Sequence, residues 1–526
     1  MSGVLLLSVS TVAVKVIGLA FKIPMLSLLG TEGMGYFNSA YEIYALLCVI
    51  STAGLPIALS ILVSSAIAKK DYARVTRVYR SAKLIFFLLG MLGTLIMLFC
   101  SKLLSDFIGN SDAYLCIAAI SPALLLVCLS SAVRGYTQGF GYMTPTAVSQ
   151  LIEAVGKLVF GVTFALLALK KNMSLPTAAA FAVFGISVGT LLSLFYLFLA
   201  KKSDRLLLPH DMCADEADGK HRNVALELIS IALPITLGSA VIGSTRIIDM
   251  SLIMRRLQDI GVSAAESNSI YGAYTTLALP VFSLIPSLIT PISLSLVPQL
   301  SGLCAKKNKE GQRNVLENSL RFTSLLAMPS SLAVTLFSRQ ILELIFPGQI
   351  EAVNICTPLL SLLGGSILFS CLITTTNAIL QAYRKTILPI ISMCIGVIVK
   401  LVSSYILIGI PAISASGAPI GSFLCNVVVT FLNIFFIVKY VKVQIRASAA
   451  LFKPLGASIV AVGGAYFLFG LLNVKPGGSI AFLVTVIAAI VIYILACILL
   501  GCISKDDIDM ILHSKKQKSD KRVGNE

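Results

Sequence analysis

Charged side chains inside long apolar runs are where this sequence can do chemistry. Lys15 and Lys22 lie seven apart in the first run, so on a helix they share a face. Glu42 follows in the second run, Arg134 in the fourth, Glu153 and Lys157 in the fifth, Arg246 and Asp249 in the seventh, and Lys400 in the eleventh. An ionised group at the centre of a bilayer costs about 3 kcal/mol or more, so it faces a cavity or a partner. The bland alternatives are local. Lys22 and Arg134 sit toward the ends of their runs and can reach the interface. Arg246 and Asp249, three apart, and Glu153 and Lys157, four apart, can each neutralise one another within a helix. Glu42 can pair with Lys22 or Arg246, or act as a gating or coupling carboxylate. Lys400 has no acid nearby in its own run. Six in-run bases against three acids make the embedded polar surface mostly positive, which favours a compact anion.

Bond-making chemistry lacks its usual groups. The three histidines, His210, His221 and His513, fall outside the apolar runs, so an embedded metal site or a Ser–His pair has no imidazole. The 12 cysteines include no C-x-x-C pair and read as small apolar fillers. Gly185-Ile186-Ser187-Val188-Gly189 matches a nucleophile elbow by letter, but no strand precedes it. Close packing between helices through small residues is the better reading. Asp506, Asp507 and Asp509 fit the first turn of a solvated helix better than a metal cluster. No catalytic residue, metal or cofactor is expected.

The elements that must carry these charges follow from composition. Of 526 residues, 57% are hydrophobic and 12% charged, and the mean hydropathy is +0.93. A soluble domain carries about 25% charged residues. A helix needs about 20 apolar residues to cross a hydrocarbon core, and only helices and closed barrels satisfy their backbone there. The runs lack the period-two alternation of barrel strands, so the fold class is an all-α polytopic membrane protein. About fourteen spans are expected, near 4–29, 36–67, 82–101, 113–137, 146–169, 176–200, 224–254, 269–302, 319–343, 353–382, 387–409, 415–438, 449–472 and 478–503. The first run has neither a basic leader nor an A-x-A site and reads as a retained helix. With both termini inside, predicted cytoplasmic segments hold 28 Lys and Arg, external segments 7, and the spans the remaining six. The net charge of +17 thus reflects topology, and no nucleic-acid partner is expected.

The chain also repeats. Pro56-Ile57-Ala58-Leu59-Ser60 returns as Pro291-Ile292-Ser293-Leu294-Ser295. Gln138 and Lys157-Leu158-Val159 return 243 residues later as Gln381 and Lys400-Leu401-Val402. Six helices per copy make a parallel duplication about an axis along the membrane normal. The expected plan is an N-lobe over 1–200, a cytoplasmic linker over 201–223, a C-lobe over 224–441, two further helices over 442–503 and a cytoplasmic tail over 504–526. Lys15, Lys22 and Arg246 are expected to line one central cavity, with Lys157 and Lys400 contributing from opposite sides and Arg134 nearby. Breakers at Gly54-Leu55-Pro56, and at Pro280, Pro286, Pro291 and Pro298, mark bends in spans 2 and 8.

Lys15-Val16-Ile17-Gly18, Leu29-Gly30-Thr31-Glu32-Gly33-Met34-Gly35-Tyr36 and Gly54-Leu55-Pro56-Ile57-Ala58-Leu59-Ser60 resemble the opening of bacterial polysaccharide-biosynthesis membrane proteins. The resemblance is to the stage V sporulation protein B-like and lipid II flippase branch of the multidrug/oligosaccharidyl-lipid/polysaccharide exporter superfamily, and it covers most of the chain. It implies two six-helix lobes around a cationic cavity that opens alternately to each side, with the last two helices helping to hold a lipid tail. It also implies substrate pyrophosphate contacts from Lys15 and Arg246. Lysine stands at Lys15 where the family commonly has arginine, so the planar guanidinium fork is absent there.

The expected function is a flippase for a polyprenyl-pyrophosphate-linked saccharide of the peptidoglycan-precursor kind. It would work as a monomer in a bacterial cytoplasmic membrane, with coupling to the membrane potential or to a cation left open. The main rival is a cation-coupled multidrug antiporter of the same superfamily, which predicts an acid-dominated chamber and twelve spans. A membrane glycosyltransferase or ligase predicts a large catalytic loop, and the longest connector, Lys201–Asn223, is too short. A non-transporting scaffold leaves the embedded charges without a role.

Overall fold

The computed structural model describes residues 2–203, 221–441, 451–472 and 479–501. His210, His513, Lys475, the aspartates at 506, 507 and 509, most of the expected linker and the expected tail lie outside them. Every regular element among the described residues is helical: α1 (Ser2–Thr52), α2 (Leu55–Ala68), α3 (Tyr72–Phe99), α4 (Ser101–Ile108), α5 (Tyr114–Gly139), α6 (Thr144–Lys170), α7 (Leu175–Ser203), α8 (His221–Asp259), α9 (Ala264–Ala273), a π-helical segment (Tyr274–Ala278), α10 (Leu279–Ala305), α11 (Lys309–Leu336), α12 (Ser338–Ile345), α13 (Ile350–Ala382), α14 (Ile387–Ile408), α15 (Gly417–Val441), α16 (Lys453–Leu472) and α17 (Ser479–Leu499).

Twelve helical stretches are long and apolar enough to cross a bilayer, and thirteen if α11 and α12, bent by 85°, form one span. The first stretch, Ser10–Ala68, has 59 residues. At 1.5 Å per residue that is roughly three times the thickness of a hydrocarbon core. Against the expected fourteen, the described residues give twelve to thirteen candidate spans, of which this first stretch is long enough for two passes. Gly30 makes the division between them. Its φ of 64° and ψ of −176° lie in a region that only glycine enters without strain, and they interrupt α1 between the two expected spans. The break at Gly54 has the other expected cause. α1 ends at Thr52, and α2 starts at Leu55 with Pro56 in its first turn, where the missing N–H is harmless.

Element boundaries repeat as the residues do. α3 and α11 are 28-residue helices that start 237 residues apart, and each is followed by an eight-residue helix, α4 or α12. Each is capped alike: the Asp71 side chain accepts from the Arg74 N–H, and that of Asn308 from the Gly311 N–H. α6 and α14 begin 243 residues apart, and α7 and α15 begin 242 apart.

The chain divides into two compact units. The first comprises Met1–Pro280 with Gln349–Cys356 and Lys400–Gly421; the second holds Val281–Gly348, Thr357–Val399 and the chain from Ser422 on. The first unit therefore contains α8 and α9 in addition to α1–α7. Its tightest seam is α6 on α7. A Cβ on Gly185 would meet the Gly161 backbone at 2.4 Å, and one on Gly156 the Gly189 Cα at 2.6 Å. The Gly185–Gly189 motif is thus a helix-packing device of the small-residue kind. α9 closes on α1 in the same way, because a Cβ on Gly272 would lie 2.0 Å from the Thr31 carbonyl oxygen. In the second unit, Phe337, at the α11–α12 corner, packs 5.8 Å from each of Tyr466, Phe469 and Phe482. These rings hold α16 and α17 to the corner, and the Tyr493 hydroxyl donates to the Leu325 carbonyl at 2.8 Å.

Candidate functional site

Eight of the nine embedded ionisable residues fall in one electrostatic cluster within the first unit: Lys22 and Glu42 on α1, Arg134 on α5, Glu153 and Lys157 on α6, Arg246 and Asp249 on α8, and Lys400 on α14. Lys22 lies within electrostatic reach of Lys157, Glu42 and Arg246, Glu42 of Asp249, and Asp249 of Lys400.

A break in the backbone holds Lys22. At the π-helical segment Tyr274–Ala278 the Leu279 N–H bonds to the Tyr274 carbonyl, five residues back. The next such donor would be residue 280, which is Pro280 and has no N–H. The Thr275 carbonyl is left for a side chain, and the Lys22 Nζ donates to it at 2.7 Å. Asn38 secures the same turn by donating to Thr275 Oγ1 at 2.9 Å and to Thr276 Oγ1 at 2.8 Å. Lys15, one heptad earlier, is exposed.

Lys157 makes no ion pair among the described residues. Its ammonium lies 5.0 Å from the ring centroid of Phe21, 5.9 Å from Phe37 and 4.6 Å from Tyr41. Glu153, four residues earlier, turns instead to Arg134 at 2.8 Å. Arg134 also donates to Ser149 and Ser193, so it is enclosed in a neutral network.

Neither Arg246 nor Asp249 uses the other as its ion-pair partner. Asp249 receives the Lys400 ammonium, with the two side chains 19% and 16% exposed. Arg246 reaches only to 3.9 Å from Glu42, and its side chain is 65% exposed against 14% for Glu42. Among the described residues, the buried Glu42 Oε2 has no hydrogen-bond partner, nor has the buried Tyr271 hydroxyl. The cluster holds five cations and three carboxylates, formally two positive charges in excess. Its least engaged cation is the Arg246 guanidinium, which can take a planar oxyanion through two parallel hydrogen bonds.

The sequence reading did not single out Phe21, Phe37, Tyr41, Asn38, Thr275 or Tyr271. Phe37 and Tyr41, four apart on the helix that carries Glu42, were the available signal.

A family model described as polysaccharide biosynthesis protein matches residues 1–303, more than half of the chain. The chain belongs to this family. A second model, MatE, matches residues 234–406. Among curated relatives, the chain is 25% identical to the stage V sporulation protein B of Bacillus subtilis (strain 168) over 97% of each chain. It is also 25% identical to the lipid II flippase MurJ of the same organism over 76% of each. A solved structure of the lipid II flippase MurJ in an inward closed conformation matches with a TM-score of 0.68 at 16% identity, over 94% of this chain and 98% of that one. These likenesses place the family member in the multidrug/oligosaccharidyl-lipid/polysaccharide exporter superfamily, a group of flippases and transporters rather than enzymes.

Proposed function

We propose that the protein is a flippase for a polyprenyl-pyrophosphate-linked saccharide, of the kind that carries a peptidoglycan precursor, in a bacterial cytoplasmic membrane with both termini inside. The observation that carries this reading is the excess positive charge of the cluster, with Arg246 left largely open. A diphosphate is a compact anion that a lipid-linked sugar brings into the bilayer, and a guanidinium binds it with direction as well as charge. Arg246 and Lys15 are the primary contacts in this reading. Lys22 and Lys157 supply field from fixed positions, while Lys400 is balanced by Asp249 and Arg134 by Glu153. The likeness to the lipid II flippase supports the substrate class.

The test is purified protein in liposomes that carry a fluorescent polyprenyl-pyrophosphate saccharide, read by its accessibility to an external quencher or enzyme. Arg246→Ala and Lys15→Ala are expected to reduce flipping at least tenfold without loss of folded protein, and Lys15→Arg to retain it. Normal flipping by both alanine variants would sink the anion-binding mechanism. A second reading, a cation-coupled antiporter, is favoured by one observation, the buried and unbonded Glu42 oxygen. It predicts that Glu42→Gln abolishes transport of a drug cation that the wild type carries. Absence of drug transport by the wild type removes it.

A further inference from the structure

Three aromatic side chains in the first unit form a continuous wall. Phe21 lies 5.7 Å from Phe37, and Phe37 stacks on Tyr41 at 6.4 Å. Phe21 and Phe37 are almost wholly buried. Gly161 makes room for this wall, because a Cβ there would come within 2.9 Å of the Phe21 ring. Four residues before Gly161 on the same face of α6, Lys157 places its ammonium within 6 Å of all three ring centroids. Its nearest carboxylate in sequence, Glu153, is held by Arg134. The cation therefore rests on ring faces, through their quadrupoles, and meets Glu153 only through the field and not in an ion pair. Rings arranged around one cation are the geometry with which proteins hold quaternary ammonium groups.

We propose that Phe21, Phe37 and Tyr41 form an organic-cation site that the chain occupies with its own lysine, and that Lys157 thereby determines which sign of charge the first unit admits. With Lys157 in place, the aromatic wall cannot take a foreign cation and the surrounding field stays positive. Without it, the same wall is an open box with a preference for cations. The specificity role rests on the anion-carrying function proposed above; the occupied box does not.

The experiment measures equilibrium binding of choline, and of its neutral isostere 3,3-dimethyl-1-butanol, to the purified full-length protein. Wild-type protein is expected to bind neither saturably. Lys157→Ala is expected to bind choline at least tenfold more tightly than the neutral isostere, and Lys157→Ala with Tyr41→Ala to lose that preference. Equal binding of the two probes by Lys157→Ala, or a preference that survives removal of Tyr41, overturns the proposal. A second measurement does not depend on the folding of Lys157→Ala. Amine acylation read by mass spectrometry should modify Lys157 at least fivefold faster in Tyr41→Ala than in wild type, relative to exposed lysines. An unchanged rate overturns the box. Neither readout requires transport, so a protein that fails to flip lipid and a box that fails to open are separate results.

Discussion

At the scale of single residues, embedded charges are settled by pairing across helices. The spacing of Arg246 and Asp249 allows an intrahelical pair, yet Asp249 takes Lys400 and Arg246 approaches Glu42. Removing one partner of a shielded pair leaves the other charge uncompensated, which typically costs about 3–5 kcal/mol, whereas replacing both with apolar groups is often neutral. Lys400→Met should therefore lower the thermal midpoint of the detergent-solubilised protein clearly, and Lys400→Met with Asp249→Leu should recover most of the loss. An equal loss in the double variant would mean that the pair contributes packing rather than charge balance. Lys15, being exposed, should tolerate neutralisation with little effect on stability.

At the scale of elements, glycine and proline determine where backbone becomes available. The two α6–α7 glycine contacts bring main chains together and leave no room for a side chain. The π-helical turn before α10 does the reverse and releases a carbonyl, because Pro280 cannot donate to it. Pro280→Ala restores an N–H that can compete for Thr275, so the tether on Lys22 should weaken. The expected result is faster acylation of Lys22 with an unchanged rate at Lys157, read in one mass-spectrometric experiment. An unaltered Lys22 rate would show that the ammonium does not depend on this carbonyl.

At the scale of the whole molecule, the proposed flippase mechanism predicts that the two uncompensated charges of the cluster couple it to the membrane potential. One elementary charge moved through 100 mV changes energy by about 2.3 kcal/mol, and a diphosphate bound there would cancel most of that dependence. In liposomes with a potassium gradient and valinomycin, a potential of about 100 mV should change the flipping rate severalfold in wild-type protein. The change should be smaller in Arg246→Ala wherever residual flipping can be measured. A rate independent of potential would mean that the charged cluster does not move relative to the field.

The sequence by itself determined the all-helical membrane fold, because long apolar runs leave the backbone no other way to bond in lipid. It also carries the signs of a repeat, because Pro56–Ser60 and Lys157–Val159 return in the same order as Pro291–Ser295 and Lys400–Val402. It named the ionisable residues of the cluster, since a charge stands out wherever its surroundings are apolar. Which group each one contacts depends on how the helices pack. Lys157 reads either as a partner for Glu153 or as a cavity-lining charge because periodicity compares residues along one helix, but its ammonium sits on rings from two other stretches of chain. Lys22 reads as reaching the interface, pairing with Glu42 or lining a cavity, whereas its acceptor is a main-chain oxygen 253 residues away, released by a register shift that no side-chain pattern encodes. Local rules fix which groups must be satisfied, and contacts distant in sequence choose the partners.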